Sequence, residues 1–248
     1  FRAYGKIRHN LGASSGIGRM LAEYYASEGC KVAIAARREE NLKEIQSLYP
    51  NNVSYAVMDV TQSSSSNIFN SLLESAGGAD LILYCSGAGK HSEELLPEIE
   101  HLTTDVNVNG FLNIIVPAFN YFVNRQENSE YVPQIVTISS VASFRGLGAS
   151  PAYSATKRFQ SIYFEALGQL SAIKRVKIDF TAIKPGFIAT DFISRKYIMT
   201  MPLPYAVKRI IKAIERRKKN CIIDWRWAIA VGIMKLVPTS LWRKIRIG

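Results

Sequence analysis

Tyr153 and Lys157 stand four residues apart in Tyr-Ser-Ala-Thr-Lys, and Ser140 lies thirteen residues before the tyrosine. On a helix this i, i+4 spacing puts both side chains on one face. An ammonium beside a phenol favours the phenolate and draws its pKa from about 10 toward neutrality. A phenol so placed can give a proton to a carbonyl oxygen, or take one from an alcohol in the reverse direction. Ser140, at a strand end, can hydrogen-bond the same oxygen and hold the carbonyl in place. A Tyr-x3-Lys pair alone is common on surface helices. Its weight here comes from the serine and from a glycine-rich turn near the start of the chain.

That turn is Gly12-Ala13-Ser14-Ser15-Gly16-Ile17-Gly18, running into a helical segment. Glycines permit a tight turn and bare the backbone N–H groups, and a helix N-terminus favours a pyrophosphate, so the segment fits a dinucleotide. Read alone, its other reading is plain structural punctuation. The second apolar run ends in Ala35-Ala36-Arg37-Arg38, with no acid to hold ribose hydroxyls. Arg37 offers a charge-assisted fork for a 2′-phosphate, which favours NADP over NAD. The bland alternative, that both arginines are solvated charges opening the next helix, suits Arg38 better than Arg37.

These residues need a scaffold that gathers strand ends. Runs rich in Val, Ile and Leu at 31–35, 53–58, 80–84, 135–139, 176–183 and 221–224 alternate with helical patterns at 16–28, 39–48, 64–76, 98–123, 151–172 and 204–219. Strands apolar on both faces, alternating with helices, predict a parallel sheet covered on both sides. The expected fold is a single-domain α/β doubly wound Rossmann fold with about seven strands over residues 1–248. Ligands in such sheets bind beyond the carboxyl ends of the strands, where the connections diverge. The first strand, reading Lys6-Ile7-Arg8-His9-Asn10-Leu11, is polar where a central parallel strand should be apolar, so either the strand is short and unusual or the sequence at this end is irregular, and the property this bears on is cofactor binding.

In motif order over about residues 11–191 the chain resembles the short-chain dehydrogenase/reductase family. Its glycine motif matches Gly12, Gly16 and Gly18, its adenine-contacting Asp matches Asp59, and its helix Asn matches Asn107. Its Ser, Tyr and Lys match Ser140, Tyr153 and Lys157, and its Pro-Gly motif matches Pro185-Gly186, with Thr190 in the carboxamide-binding place. After the fourth strand the family's Asn-Asn-Ala-Gly is replaced by Tyr84-Cys85-Ser86-Gly87, in which Gly87 keeps the close backbone approach. The resemblance implies an NADP(H)-dependent oxidoreductase passing hydride between nicotinamide and a carbonyl or secondary alcohol. It places Ser14, Ser15, Ile17 and Ile188 with the other cofactor residues, lets Lys157 hold the nicotinamide ribose, and gives Asn107 a water that relays protons to Lys157. It also implies a homodimer or homotetramer. The alternative on the same fold is a non-catalytic NADP-binding sensor or scaffold.

Composition narrows the remaining classes. With 48% hydrophobic and 21% charged residues, the 248-residue chain is neither disordered nor fibrous. Cys30, Cys85 and Cys221 are odd in number and widely spaced, and His9, His91 and His101 are scattered. Reduced thiols, a cytoplasmic setting and no metal site are expected. Cys85 reads as a structural thiol. The first ten residues carry no apolar h-region of a secretory signal.

Residues 1–184 hold 17 basic and 17 acidic side chains, and residues 185–248 hold 14 against 3, so the whole net charge of +11 lies in the last quarter. A local basic region gives no reason to expect nucleic-acid binding. Residues 187–204 are mostly apolar and are expected to form a lid over an apolar or amphipathic substrate. The segment 225–248 mixes Trp, Ile and Leu with Arg and Lys, and Arg226, Lys235 and Pro238 interrupt it too often for a membrane span. Two readings stay open: an element lying on an anionic membrane surface, and a face packed on the domain or on a second subunit.

Overall fold

A computed structural model of the chain describes residues 6–125, 131–192 and 197–245. Seven parallel strands form one sheet in the order β3-β2-β1-β4-β5-β6-β7. The strands are β1 Ile7–Leu11, β2 Lys31–Ala36, β3 Val53–Val57, β4 Leu81–Tyr84, β5 Gln134–Ile138, β6 Asp179–Lys184 and β7 Asn220–Ile222. Helices α1 Gly16–Ser27, α2 Glu39–Leu48 and α3 Ser65–Ser75 connect the first four. Then come α4 Pro97–Thr104, α5 Gly110–Arg125, α6 Pro151–Ile173, α7 Leu203–Glu215, α8 Trp225–Leu236 and α9 Thr239–Trp242.

The strand pattern explains the two layers. Val32 and Ile34 of β2, with Leu81 and Leu83 of β4, join the core on the side of α1, α2 and α7. Ala33 and Ala35, with Ile82 and Tyr84, point the other way into the core built on Phe69, Phe111 and Phe164. Alternate residues of a strand face opposite sides, so continuously apolar strands bury both. The chain leaves β1 toward β2 and β3, then returns to place β4 on the other flank of β1. The carboxyl ends of β1 and β4 therefore bound the crevice where the connections diverge.

The polar first strand is short, five residues, yet regularly paired and central: Arg8 to Leu11 pair with β2 on one side and β4 on the other. Each polar side chain is only partly satisfied there: His9 and Asn10 each make one hydrogen bond and Arg8 lies over an aromatic ring, while His9 Nδ1, Asn10 Oδ1 and Arg8 Nε are buried without a partner among the described residues. His9 is fully buried, edge-on to Phe69, with its Nε2 2.8 Å from the Gly78 carbonyl oxygen. Burial holds the imidazole pKa down at about 4, so the ring is neutral around pH 7. Asn10 Nδ2 donates to the Gly18 carbonyl at 2.7 Å, tying β1 to the first turn of α1. The Arg8 guanidinium lies 4.7 Å from the centre of the Tyr25 ring.

The single helix expected over 98–123 is α4 and α5 joined by a π-helical turn, Asp105–Asn109. Taken together, Pro97–Arg125 is long and apolar enough to cross a membrane, but half of its most apolar window is buried inside the protein, where Phe111, Ile114 and Phe122 pack under the sheet.

Candidate functional site

The end of β5 and the start of α6 are clamped together by side chains. Ser139 Oγ donates to the Lys157 carbonyl at 3.0 Å and lies 3.2 Å from Ser161 Oγ. Ser140 opens a short 3-10 turn, Val141–Phe144, its Oγ accepting from Ala142 N at 3.1 Å. This fixes the serine hydroxyl at the strand end, close enough to the Tyr153 phenol to draw its pKa down. The tyrosine ring packs so closely on Gly89 that a side chain there would occupy its place. Phe192 lies on the ring's flank, 5.9 Å between centroids. Gly89 is a site residue that sequence reasoning missed; a glycine two positions beyond Gly87 was the available sign.

Lys157 is buried, with its Nζ 5.8 Å from the centre of the Tyr153 ring. The ammonium donates to the Ile138 carbonyl at 2.9 Å and to Gln160 Oε1 at 3.2 Å. Burial draws its pKa down to about 8. The Tyr153 phenol is pushed above its ordinary value by burial, and only the Ser140 hydroxyl pulls it back. The sequence expectation of a lowered tyrosine pKa is therefore corrected for the protein alone. The lysine is turned toward a carbonyl and an amide, and desolvation of the phenol dominates. Burial also raises the Cys85 thiol to about 12, which fits an inert structural thiol.

Asn107 sits in the π-helical turn. Its side chain grips the Ala88 backbone, accepting from Ala88 N at 3.0 Å and donating to Ala88 O at 2.7 Å, and it donates to Thr156 Oγ1 at 3.0 Å. The wider turn re-aims a side chain that a continuous α-helix would point elsewhere. The main-chain oxygen of Asn107 accepts from Gln160 Nε2 at 3.0 Å. One buried amide thus links Asn107 to Lys157, the two groups that the resemblance joins through a water. Gln160 was not foreseen, although its place three residues after Lys157 puts it on the same helical face.

This linkage predicts a graded result. Gln160→Leu leaves the Asn107 carbonyl and the Lys157 ammonium each short of a partner, and should lower kcat about tenfold with a smaller change in KM. Gln160→Glu keeps an acceptor for the ammonium and adds a charge that raises the lysine pKa, so the alkaline limb of the pH–rate profile should move upward. Equal profiles in all three proteins would make Gln160 packing only.

The glycine-rich turn lies at the crevice. Gly12 has φ of +94°, and a Cβ there would come within 2.5 Å of Ser86 N, so this position needs glycine twice over. No side chain caps the start of α1, since Ser15 Oγ instead accepts from Arg38 Nη2 at 2.6 Å. The turn is thus a cradle of small residues with Gly16, Ile17 and Gly18 at a helix N-terminus, a fit for a dinucleotide pyrophosphate. Thr190 Cγ2 would lie 3.6 Å from a Cβ on Gly16, so the loop after Pro185-Gly186 closes over this cradle. Ile188 in that loop is buried and pairs with Met201, and Pro185 O accepts from Val141 N at 2.9 Å. Gly87 comes near the opposite wall, where its Cβ would meet Lys157 Nζ at 3.4 Å.

The two arginines that follow β2 differ in their partners. Arg37 is exposed, with Nη1 4.0 Å from Asp59 Oδ2, and Asp59 Oδ1 accepts from Thr61 N and Oγ1. Arg38 is not merely solvated: it donates to Ser14 Oγ as well as Ser15 Oγ. Of residues 187–204, Phe187 stacks on Tyr197 with centroids 4.0 Å apart, whereas Ile193 lies outside the described residues. Among the described residues no group of His, Cys, Asp and Glu could hold a metal ion.

Residues 10–198 match the family model described as short chain dehydrogenase. An uncharacterized oxidoreductase of Myxococcus xanthus is 29% identical over 245 residues, covering 93% of this chain and 92% of that protein. An 11-beta-hydroxysteroid dehydrogenase A of Sesamum indicum is 30% identical over 78% of this chain and 55% of its own length. Among solved structures, a short-chain dehydrogenase from Streptomyces avermitilis superposes with a TM-score of 0.80 at 21% identity, covering 96% of this chain and 97% of that one.

Proposed function

The chain belongs to the short-chain dehydrogenase family, and on that footing we propose that it is an NADP(H)-dependent reductase of ketones or aldehydes, or the reverse dehydrogenase. The observation that carries this reading is the gathering of Ser140, Tyr153 and Lys157 at the carboxyl end of the sheet, facing the glycine cradle across Gly87. When bound, the nicotinamide supplies or accepts the hydride. Ser140 and Tyr153 hydrogen-bond the substrate oxygen, and Tyr153 gives it the proton in the reductive direction. Lys157 holds the ribose and stabilises the phenolate that proton transfer leaves behind. Gln160 and the Asn107 carbonyl keep the lysine in place.

Substrate preference follows from the walls. Phe192 beside Tyr153, and Phe187 between Tyr197 and Trp227, give the approach an aromatic lining that suits an apolar or amphipathic carbonyl. The name of the Sesamum relative, a hydroxysteroid dehydrogenase, supports the same class. Oxidation of NADPH should be measured against a panel of aliphatic, aromatic and polycyclic ketones and aldehydes, with the corresponding alcohols and NADP in the other direction. Turnover is expected with apolar members of the panel. NADPH binding without turnover of any member would sink the reading.

A further inference from the structure

Seven residues of α8 are exposed and six of them are apolar: Trp225, Ala228, Ile229, Gly232, Ile233 and Leu236. Steps of three and four place these six along one face of the helix. Leu236 is 83% exposed, Trp225 66% and Ile233 61%. The seventh, Lys235, carries its ammonium back over the Phe144 ring, 4.6 Å from the centre. Leu241 of α9 and Ile245 after it are exposed apolar residues as well. A helix that only closed a domain would turn a polar face outward.

The other side of α8 holds it firmly. Trp227 lies against Gly186 where a side chain would stand, and edge-on to Phe187 at 5.5 Å. The Arg145 guanidinium donates to the carbonyls of Met234 and Val237, and stacks 5.1 Å from the Trp242 ring. Trp242 Nε1 donates to Gly146 O at 2.8 Å. The apolar stripe is thus a fixed feature of the surface.

The charge around it selects what can cover it. No acid occurs from residue 225 to 248, where Arg226, Lys235, Arg243, Lys244 and Arg246 all occur. Arg226 is paired with Asp224, while Arg243 and Lys244 are exposed just beyond the stripe. A second copy docked through this face would set one basic region against another. An anionic bilayer offers hydrocarbon for Ile, Leu and Trp and opposite charge for Arg and Lys.

We infer that α8 and α9 form a docking surface for an anionic phospholipid bilayer, with α8 lying parallel to the membrane and its apolar stripe at the acyl boundary. The loop held by α8 and α9 also walls a cavity of about 500 Å3 at the start of α6, lined by Phe144, Arg145, Leu147, Pro151 and Arg158. Docking would bring an apolar carbonyl compound dissolved in the bilayer to the surface of the protein that acts on it. That last step rests on the function proposed above; the docking does not.

The test uses the full chain with vesicles of phosphatidylcholine alone and of phosphatidylcholine mixed equally with phosphatidylglycerol, at low and high salt. Co-sedimentation should be at least about tenfold stronger with phosphatidylglycerol, and salt should weaken it. Ile229→Glu with Ile233→Glu should cut that binding by about tenfold or more, and should leave the thermal midpoint and NADPH affinity unchanged, since both side chains are exposed. Should that variant not fold, Arg243→Glu with Lys244→Glu must still lower binding to the anionic vesicles. Wild type that ignores both vesicles at low salt overturns the inference, as does a double glutamate variant that binds like wild type. So does a variant whose only change is to split a lipid-free dimer, which would make the face a subunit contact. NADPH affinity read in the same samples separates failure of the docking from failure of the proposed function.

Discussion

Tyr153→Phe should lower kcat for ketone reduction by about three orders of magnitude while NADPH affinity stays within about twofold of wild type. General acid catalysis contributes roughly 10²- to 10⁴-fold, and the Ser140 hydroxyl, a far weaker acid than a phenol, does not replace the proton that Tyr153 gives. Ser140 can still hydrogen-bond the carbonyl, so substrate KM should change less than kcat. The ring itself is retained, which keeps its packing on Gly89 and Phe192 and limits any loss of stability. The pH dependence follows from the directions already described. Burial keeps the phenol protonated through the neutral range, so reduction is not limited there by loss of its proton. Lys157, at about 8, becomes neutral above that value and then no longer stabilises the nascent phenolate. The reductive rate should therefore fall as pH rises past about 8. Stopped assays of wild type and variant from pH 6 to 10, with NADPH binding followed by fluorescence, check both statements. A variant keeping a tenth of wild-type kcat would remove Tyr153 from the role of proton donor.

The same site shows how far sequence reasoning reaches. Ser140, Tyr153 and Lys157 were legible because local rules place them: a strand end, a helix and an i, i+4 spacing. The two-faced apolar strands were legible for the same reason, since alternation in β2 and β4 is written within a few residues. What stayed hidden depends on partners distant in sequence. The His9 ring finds its one hydrogen-bond partner through Nε2, a carbonyl 69 residues away, so the strand looked wrong until Gly78 was beside it. The π-helical turn at Asn107 left no trace in an apolar run whose periodicity fits one long helix. Gln160 carries no meaning as a sequence letter, but its two hydrogen bonds bridge Asn107 and Lys157. In 225–236 the mixture of Trp, Ile and Arg concealed a one-sided stripe that only a helical path brings into line.

Coenzyme preference is the second large effect, and the structure sharpens where it should lie. Arg37 is 69% exposed on its side chain, and its one ion pair among the described residues is with Asp59 at 4.0 Å, so its guanidinium is available to an incoming 2′-phosphate. Arg38 already donates to two serine hydroxyls of the cradle, and a 2′-phosphate would have to compete for it. Arg37→Ser should therefore reduce kcat/KM for NADPH by about ten- to a hundredfold, the worth of one or two charge-assisted hydrogen bonds, and leave NADH within about threefold. Arg37→Asp should go further and reverse the preference, because a carboxylate repels the phosphate and accepts from ribose hydroxyls. The new acid would stand beside Asp59, so comparison with the serine variant separates repulsion of the phosphate from disturbance of Asp59. Arg38→Ser, by contrast, should loosen the cradle and weaken both coenzymes alike. Initial rates with NADPH and NADH for the four proteins decide the matter. A wild type that prefers NADH would show that neither arginine reads a phosphate, and a selective loss of NADPH in Arg38→Ser would transfer the role from Arg37 to its neighbour.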